Sequence, residues 1–178
     1  FWKPVGVTST TDREIRGNLL DALENNENEA PISHRIFSVG RLDKDSSGLL
    51  LMTSDGRVPS AVLRKEFKQP KTYEVVTNKQ IRDHDMEHLR RGIVITTDKI
   101  QNGRHVSFTA RTLPCRVERM DDRCLRMTLT EGRNRQIRIM LQEFGYEVEA
   151  LHRIEFLGID LSGLQGPGDW TRLNASER

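Results

Sequence analysis

Gly40-Arg41-Leu42-Asp43-Lys44-Asp45-Ser46-Ser47-Gly48 runs into the apolar stretch Leu49-Leu50-Leu51-Met52 and then into Thr53-Ser54-Asp55-Gly56. Two carboxylates, Asp43 and Asp45, stand two residues apart in a loop rich in serine and glycine. Strand-like runs flank that loop at residues 36–39 and 49–53. A polar loop between buried strands lets rigid neighbours aim one side chain outward, and that is where a nucleophile would sit. Taken alone, Asp43 reads more readily as a turn residue whose carboxylate caps its own loop. Only the rest of the chain decides between these readings.

Outward from this loop, periodicity outlines an α+β protein. Thr11-Asp12-Arg13-Glu14 has the spacing of a capping box, followed by Ile15, Leu19, Leu20 and Leu23 on one helical face, so a helix is expected to end near Asn25. Residues 25–31 form a polar, acidic loop with no periodicity and no role that can be derived. Val58, Ala61, Val62 and Lys65 mark a short helix, residues 71–77 a strand, and residues 80–91 a charged surface helix stopped by Gly92. Alternating stretches at 93–96, 105–111, 115–119 and 124–130 have the rhythm of an antiparallel sheet. Ile137, Met140, Leu141 and Phe144 then recur at helical spacing over 134–144, with Gly145 as the stop. Strands are expected at 147–151, 153–157 and 170–173. The division expected is two lobes sharing one sheet, about 1–67 and 68–178.

At 178 residues there is ample apolar content for a core. Twenty-eight basic against 26 acidic residues leave a net charge of only +2, so bulk charge does not announce a polyanion partner. Distribution says more: residues 104–138 hold nine arginines against four acids. Arginine suits forked contacts to phosphate and stacking on bases. Cys115 and Cys124 flank the expected turn Met120-Asp121-Asp122-Arg123, which leaves a cross-strand pairing open with reduced thiols as the default. No apolar run is long enough for a bilayer and no charged-then-apolar leader opens the chain, so a soluble intracellular protein is expected. The chain opens at Phe1-Trp2-Lys3-Pro4, inside what reads as a strand entering a turn, so an upstream segment is expected.

Glycine-rich phosphate fingerprints and dense His/Cys clusters are missing from the sequence, so no cofactor and no metal is expected. His84 and His88 have i, i+4 spacing but lie among charges, which favours solvated side chains. A carboxylate attacks carbon only when ionised, close and held still. Arg138 is a candidate cation for Asp43, because the helix that carries it opens just after Gly132-Arg133-Asn134. Arg133 and Arg135 stand where the free N–H groups of that helix start favour anions.

Four segments come in order and together span most of the chain: Lys3-Pro4-Val5-Gly6-Val7, the stretch from Arg41-Leu42-Asp43 to Gly56, Lys71-Thr72-Tyr73-Glu74-Val75, and Glu131-Gly132-Arg133-Asn134-Arg135-Gln136-Ile137-Arg138. They resemble the motifs of the RsuA family of ribosomal RNA pseudouridine synthases. Val7-Thr8-Ser9-Thr10-Thr11 and the overall spacing are most similar to its large-subunit, RluB/RluE/RluF-like members. The resemblance implies the pseudouridine synthase fold, a mixed and mainly antiparallel sheet with flanking helices and a central active-site cleft. It also implies Asp43 as nucleophile, Tyr73 stacking on the target uracil and helping remove its C5 proton, and Arg138 as the partner of Asp43. Arg41 would steady the flipped-out nucleotide. Arg133, Asn134, Arg135 and Gln136 would contact RNA, and Ile139 and Leu141 would wall the pocket against water.

The reaction so implied is isomerisation of uridine in RNA, ribosomal RNA first and transfer RNA second, by a monomer in the bacterial cytoplasm or an organelle. Most members of that family carry an S4-type RNA-binding domain ahead of the Lys-Pro motif. None is seen in this chain, so weaker substrate binding than with such a segment is expected. Two rival readings stay open: a non-catalytic RNA-binding module using the same basic face, and a metal-dependent nucleic-acid hydrolase using Asp43 and Asp45.

Overall fold

The computed structural model describes residues 1–24, 32, 34–64, 67, 69–101 and 103–173, so the polar loop at 25–31 lies outside the described residues. The chain forms two compact units, Phe1–Gln69 with His152–Arg178, and Pro70–Leu151. None of the described helices is long and apolar enough to cross a membrane.

In the first unit, β1 (Trp2–Lys3) pairs antiparallel with β3 (Ser47–Leu49), and β3 pairs parallel with the end of β10 (Val148–Phe156). A separate two-stranded sheet joins β2 (Phe37–Ser38) to β4 (Met52–Thr53), and β11 (Ile159–Asp160) returns along β10. The run expected as one strand over 49–53 is therefore split. The Leu50 amide donates to Phe1 O, while Leu51 O accepts from the Val39 amide, so the chain changes partners between β3 and β4. Leu49 and Leu51 pack in one apolar cluster and Leu50 in another, which is why three consecutive leucines can all be buried.

Helix α1 (Leu19–Glu24) starts later than the Thr11 capping box predicts. Asn18 is the residue that caps it, its Oδ1 accepting from the amides of Leu20 at 2.7 Å and Asp21 at 3.0 Å. Asp12 spends its carboxylate on the Glu14 amide in a local turn instead. α2 (Arg57–Val62) is the short helix expected. No strand forms at 170–173; Trp170 is buried, and its indole N–H donates to Leu23 O, pinning the tail against α1.

In the second unit, β5 (Lys71–Thr77) lies hydrogen-bonded between β10 and β9 (Cys124–Leu129), with β8 (Arg116–Asp121) outside β9. Residues 147–157, expected as two strands, contain the single strand β10. α3 (Asp83–Arg91) and α4 (Gln136–Gln142) cover a core built from Val75, Ile81, Leu89, Leu125, Met127, Met140 and their neighbours. Buried Asp85 accepts from the Tyr146 hydroxyl at 2.6 Å and from Arg82 at 2.8 Å, which satisfies a carboxylate that would otherwise be costly inside. β6 (Val94–Gln101) and β7 (Arg104–Arg111) form a sheet of their own. The strand-rich, mainly antiparallel pattern is the α+β arrangement expected.

The two cysteines stand at opposite ends of the β8–β9 hairpin. Cys124 faces Asp121 across the turn, whereas Cys115 precedes Arg116, whose partner is Thr128. That register rules out the cross-strand pairing, and both thiols are free. Burial, aided by Glu131, pushes the Cys115 thiol up to about 11.

Candidate active site

The backbone around Asp43 is fastened at three places by one segment of chain. Ser9 Oγ donates to Leu42 O at 2.6 Å and accepts from the Leu42 amide at 3.1 Å. The Gly6 amide donates to Lys44 O at 2.8 Å. Lys3 Nζ donates to Ser46 O and to Pro4 O, each at 2.8 Å. Residues 42, 44 and 46 are thus held by 9, 6 and 3, and the half-buried Asp43 lies between the first two of these braces. The Ser46 amide closes the turn onto Asp43 O at 3.1 Å. The loop that carries this carboxylate is held still by contacts to its backbone.

Lys3 is fully buried, an unusual place for an ammonium. Burial pushes it down to about 8, against the opposing pull of Asp45 and Asp43. The lowered value has a consequence for stability. Between pH 8 and the ordinary 10.5, the unfolded chain holds the proton on Lys3 more tightly than the folded one, so stability from this group rises with pH across that window and is flat below it. Comparing urea midpoints of wild type and Lys3→Met from pH 7 to 10.5 should show wild type gaining on the variant by about 2–3 kcal/mol. A constant difference would show that the amine keeps its charge throughout.

Tyr73 and Arg138 belong to the second unit. Tyr73 is half-buried on β5, directly across from Met127 of β9, and packs against that unit's core. Arg138 lies on α4 and donates to Val148 O at 2.9 Å. Together with Arg135, Gln142, Gly145, Tyr146, Glu147 and Val148 it lines a cavity of about 350 Å³. Arg135 has a left-handed backbone, φ 50°, where the 131–134 loop enters α4, a conformation that costs a non-glycine residue about 1–3 kcal/mol.

Several residues expected to touch RNA are engaged inside the second unit. The Arg133 guanidinium contacts Glu131 and donates to Ala110 O at 2.9 Å and Arg111 O at 2.6 Å. Gln136 is buried, donating to Glu131 Oε1 and accepting from the Arg133 amide. Leu141 is fully buried in the core and Ile139 partly so. Arg41, Asn134 and Arg135 are exposed. Among the described residues there is no group of three or more His, Cys, Asp or Glu able to hold a metal ion, and the His84 and His88 rings lie 4.5 Å apart on α3. Expectations from sequence did not include the braces Lys3, Gly6 and Ser9. Their signal lies in two segments, Lys3–Val7 for Lys3 and Gly6 and Val7–Thr11 for Ser9.

A family profile described as RNA pseudouridylate synthase matches residues 1–143, which include the braces, the Asp43 loop, Tyr73 and Arg138. This chain belongs to the RNA pseudouridylate synthase family. Relatives within it include the dual-specificity RNA pseudouridine synthase RluF of Escherichia coli K12, 34% identical over 98% of this chain and 53% of its own length. The ribosomal large subunit pseudouridine synthase B of Bacillus subtilis 168 is 34% identical over 99% of this chain and 68% of its own. The chain thus spans about half the length of the RluF proteins it matches. Among solved structures, a pseudouridylate synthase crystal structure aligns with a TM-score of 0.81 at 24% identity, covering 99% of this chain and 70% of that one. A Cbf5-Nop10-Gar1 complex aligns at 0.59 and 18% identity, covering 87% and 47%. At these identities the two structures show the shared fold, which is the pseudouridine synthase fold expected.

Proposed function

We propose that this chain is the catalytic part of an RNA pseudouridine synthase that isomerises uridine in ribosomal RNA, with Asp43 as nucleophile. The observation that carries the reading is the triple bracing of the Asp43 loop by Lys3, Gly6 and Ser9 within the stretch that matches the family. In the reaction the N1–C1′ bond of uridine breaks, the uracil turns, and C5 bonds to C1′. C5 gives up its proton, N1 takes one from solvent, and nothing is oxidised or reduced. A carboxylate that attacks covalently divides this exchange into two easier steps.

The family resemblance assigns Tyr73 the stacking and proton-transfer role and Arg138 the cation that keeps Asp43 ionised. Arg41, Asn134 and Arg135 have exposed surface to offer an RNA, whereas Arg133, Gln136 and Leu141 act by holding the 131–141 segment in shape. A base inside a helix or loop must leave its stack to reach a carboxylate, so the target nucleotide is flipped out. The names of the relatives favour the large ribosomal subunit as the source of the substrate.

The test is tritium release from a large-subunit ribosomal RNA transcript labelled at uridine C5. Release with full-length RNA recovered is the expected result, and it continues in the presence of chelator. Shortened strands and loss of activity with chelator would favour the hydrolase, and no release with tight binding would favour the RNA-binding module.

A further inference from the structure

Glu131 stands in the turn between β9 and α4, and its half-buried carboxylate is met from three places in the second unit. Oε1 accepts from the Leu113 amide at 2.8 Å and from Gln136 Nε2 at 2.7 Å, and Oε2 accepts from Arg133 Nε at 3.1 Å. Gln136 Oε1 in turn accepts from the Arg133 amide at 3.0 Å, and the Gln136 amide donates to Arg133 O at 3.2 Å. The Glu131 and Arg133 side chains are each 18% exposed, and Gln136 is buried. Charge-assisted bonds screened from water in this way are stronger than an exposed ion pair. They join the chain leaving β7, the turn, and the first residue of α4 into one closed set.

That set lies where the backbone is strained. α4 has seven residues, and its N-cap residue, Arg135, makes no side-chain capping bond and is left-handed at φ 50°. A helix this short does not persist by its own propensity, and a left-handed arginine persists only where surrounding contacts over-determine it. Glu131 supplies such contacts on both sides of Arg135, through Arg133 before it and Gln136 after it. Arg138 follows Gln136 by two residues. The roll of α4 that seats Gln136 inward therefore also sets the direction of Arg138, whose Nη1 donates to Val148 O at 2.9 Å.

We propose that Glu131 is a positioning residue for Arg138: by holding the turn at 131–136 it fixes the start and the roll of α4, and so aims the guanidinium assigned to keep Asp43 ionised. The inference rests on the proposed function and deepens it. Glu131 acts through Gln136 and Arg133 and meets no reacting atom. Its negative charge is matched by Arg133, so what it passes to Arg138 is geometry more than field. Ile137, Met140 and Leu141 hold α4 on the core, but apolar packing has no preferred direction, whereas the hydrogen bonds to Gln136 have one. Without Glu131 the helix keeps its place and loses its aim.

The experiment uses the full chain and the tritium-labelled large-subunit ribosomal RNA transcript, comparing wild type, Glu131→Ala, Glu131→Gln and the control Glu118→Ala. Glu118 pairs with Arg116 on the exposed side of β8. Glu131→Ala should lower the single-turnover rate about 10²-fold with RNA Kd within about twofold, the cost of misplacing a group by about 1 Å. Glu131→Gln keeps one oxygen for the Leu113 amide and should lose about tenfold. In both variants the acid limb of the rate against pH should move up by about one unit, because an arginine aimed elsewhere no longer favours ionised Asp43. Lost stability alone would leave that limb in place. The Cys115 thiol, raised to about 11 by burial and by Glu131, should fall in both, which checks the place of the carboxylate without reference to activity. Glu118→Ala should match wild type. Glu131→Gln, which keeps the volume, carries the test if Glu131→Ala does not fold. A wild-type rate or an unmoved acid limb in the Glu131 variants would overturn the proposal and leave the proposed function standing, whether or not Cys115 shifts. A loss confined to RNA binding would overturn it as well. If wild type itself releases no tritium, the proposed function falls and this inference falls with it.

Discussion

Asp43→Asn is expected to lower pseudouridine formation by on the order of 10⁴-fold or more while the protein still folds and still binds RNA. The substitution keeps the size of the side chain and removes the negative oxygen that attacks. None of the three braces depends on that oxygen: Ser9 grips the backbone of Leu42, Gly6 the carbonyl of Lys44, and Lys3 the carbonyl of Ser46. The loop should therefore hold its course in the variant, and the loss should be one of chemistry. A second readout separates this from a general disturbance. Asp43 is one of the two carboxylates that oppose the lowering of Lys3, so the Lys3 amine should titrate still further below about 8 in the variant. Tritium release under single-turnover conditions, RNA binding, and the pH at which Lys3 loses its proton check the three parts together. Activity that survives the substitution would remove Asp43 as the nucleophile, whatever the other two show.

The elements legible in the chain are those with local causes. Strand β5 was expected over residues 71–77 and is found there because each residue obeys a single neighbourhood, β9 and the core beneath it. Helix α3 stops at Gly92, as expected, because that glycine takes φ 78° and abuts the Thr112 carbonyl. Competition between equally good local rules produced the errors. Thr11 satisfies the capping-box spacing, but Asn18 reaches two amides of α1 and wins the helix start. Trp170 has strand composition, yet its indole finds the carbonyl of Leu23 across 147 residues of sequence. The same distance hid the braces of the candidate site. Ser9 is 33 residues from Leu42 and Lys3 is 43 from Ser46, and no periodicity links them. Arg133 was expected to face phosphate because it stands at a helix start that favours anions; only the fold shows the carbonyls of Ala110 and Arg111 within its reach.

Gly48→Ala is expected to be the most destabilising small substitution in the first unit, at about 3–5 kcal/mol. Gly48 faces Lys3 of β1 on one side and Arg153 of β10 on the other, so it sits mid-sheet between two backbones. Its φ of 111° is one that side chains rarely adopt, and an added Cβ would fall 2.2 Å from the Arg153 oxygen and 2.5 Å from its nitrogen. Both are backbone atoms in a paired strand, so no side chain can swing aside to make room. Relief would require β3 and β10 to part, which also breaks the bond from Arg153 Nε to Leu49 O and shifts the strand that follows the Asp43 loop. Activity should fall with stability for that reason, even though Gly48 contacts no substrate. Gly166→Ala is the matched control, since a Cβ there meets nothing within 4 Å, and it should change stability by less than about 0.5 kcal/mol. Urea unfolding of both variants is the measurement. A Gly48→Ala midpoint equal to that of wild type would mean that β3 and β10 do not approach as closely as their parallel pairing requires. The glycine that closes the Asp43 motif is therefore required by a strand over a hundred residues away, and flexibility of the loop has no part in it.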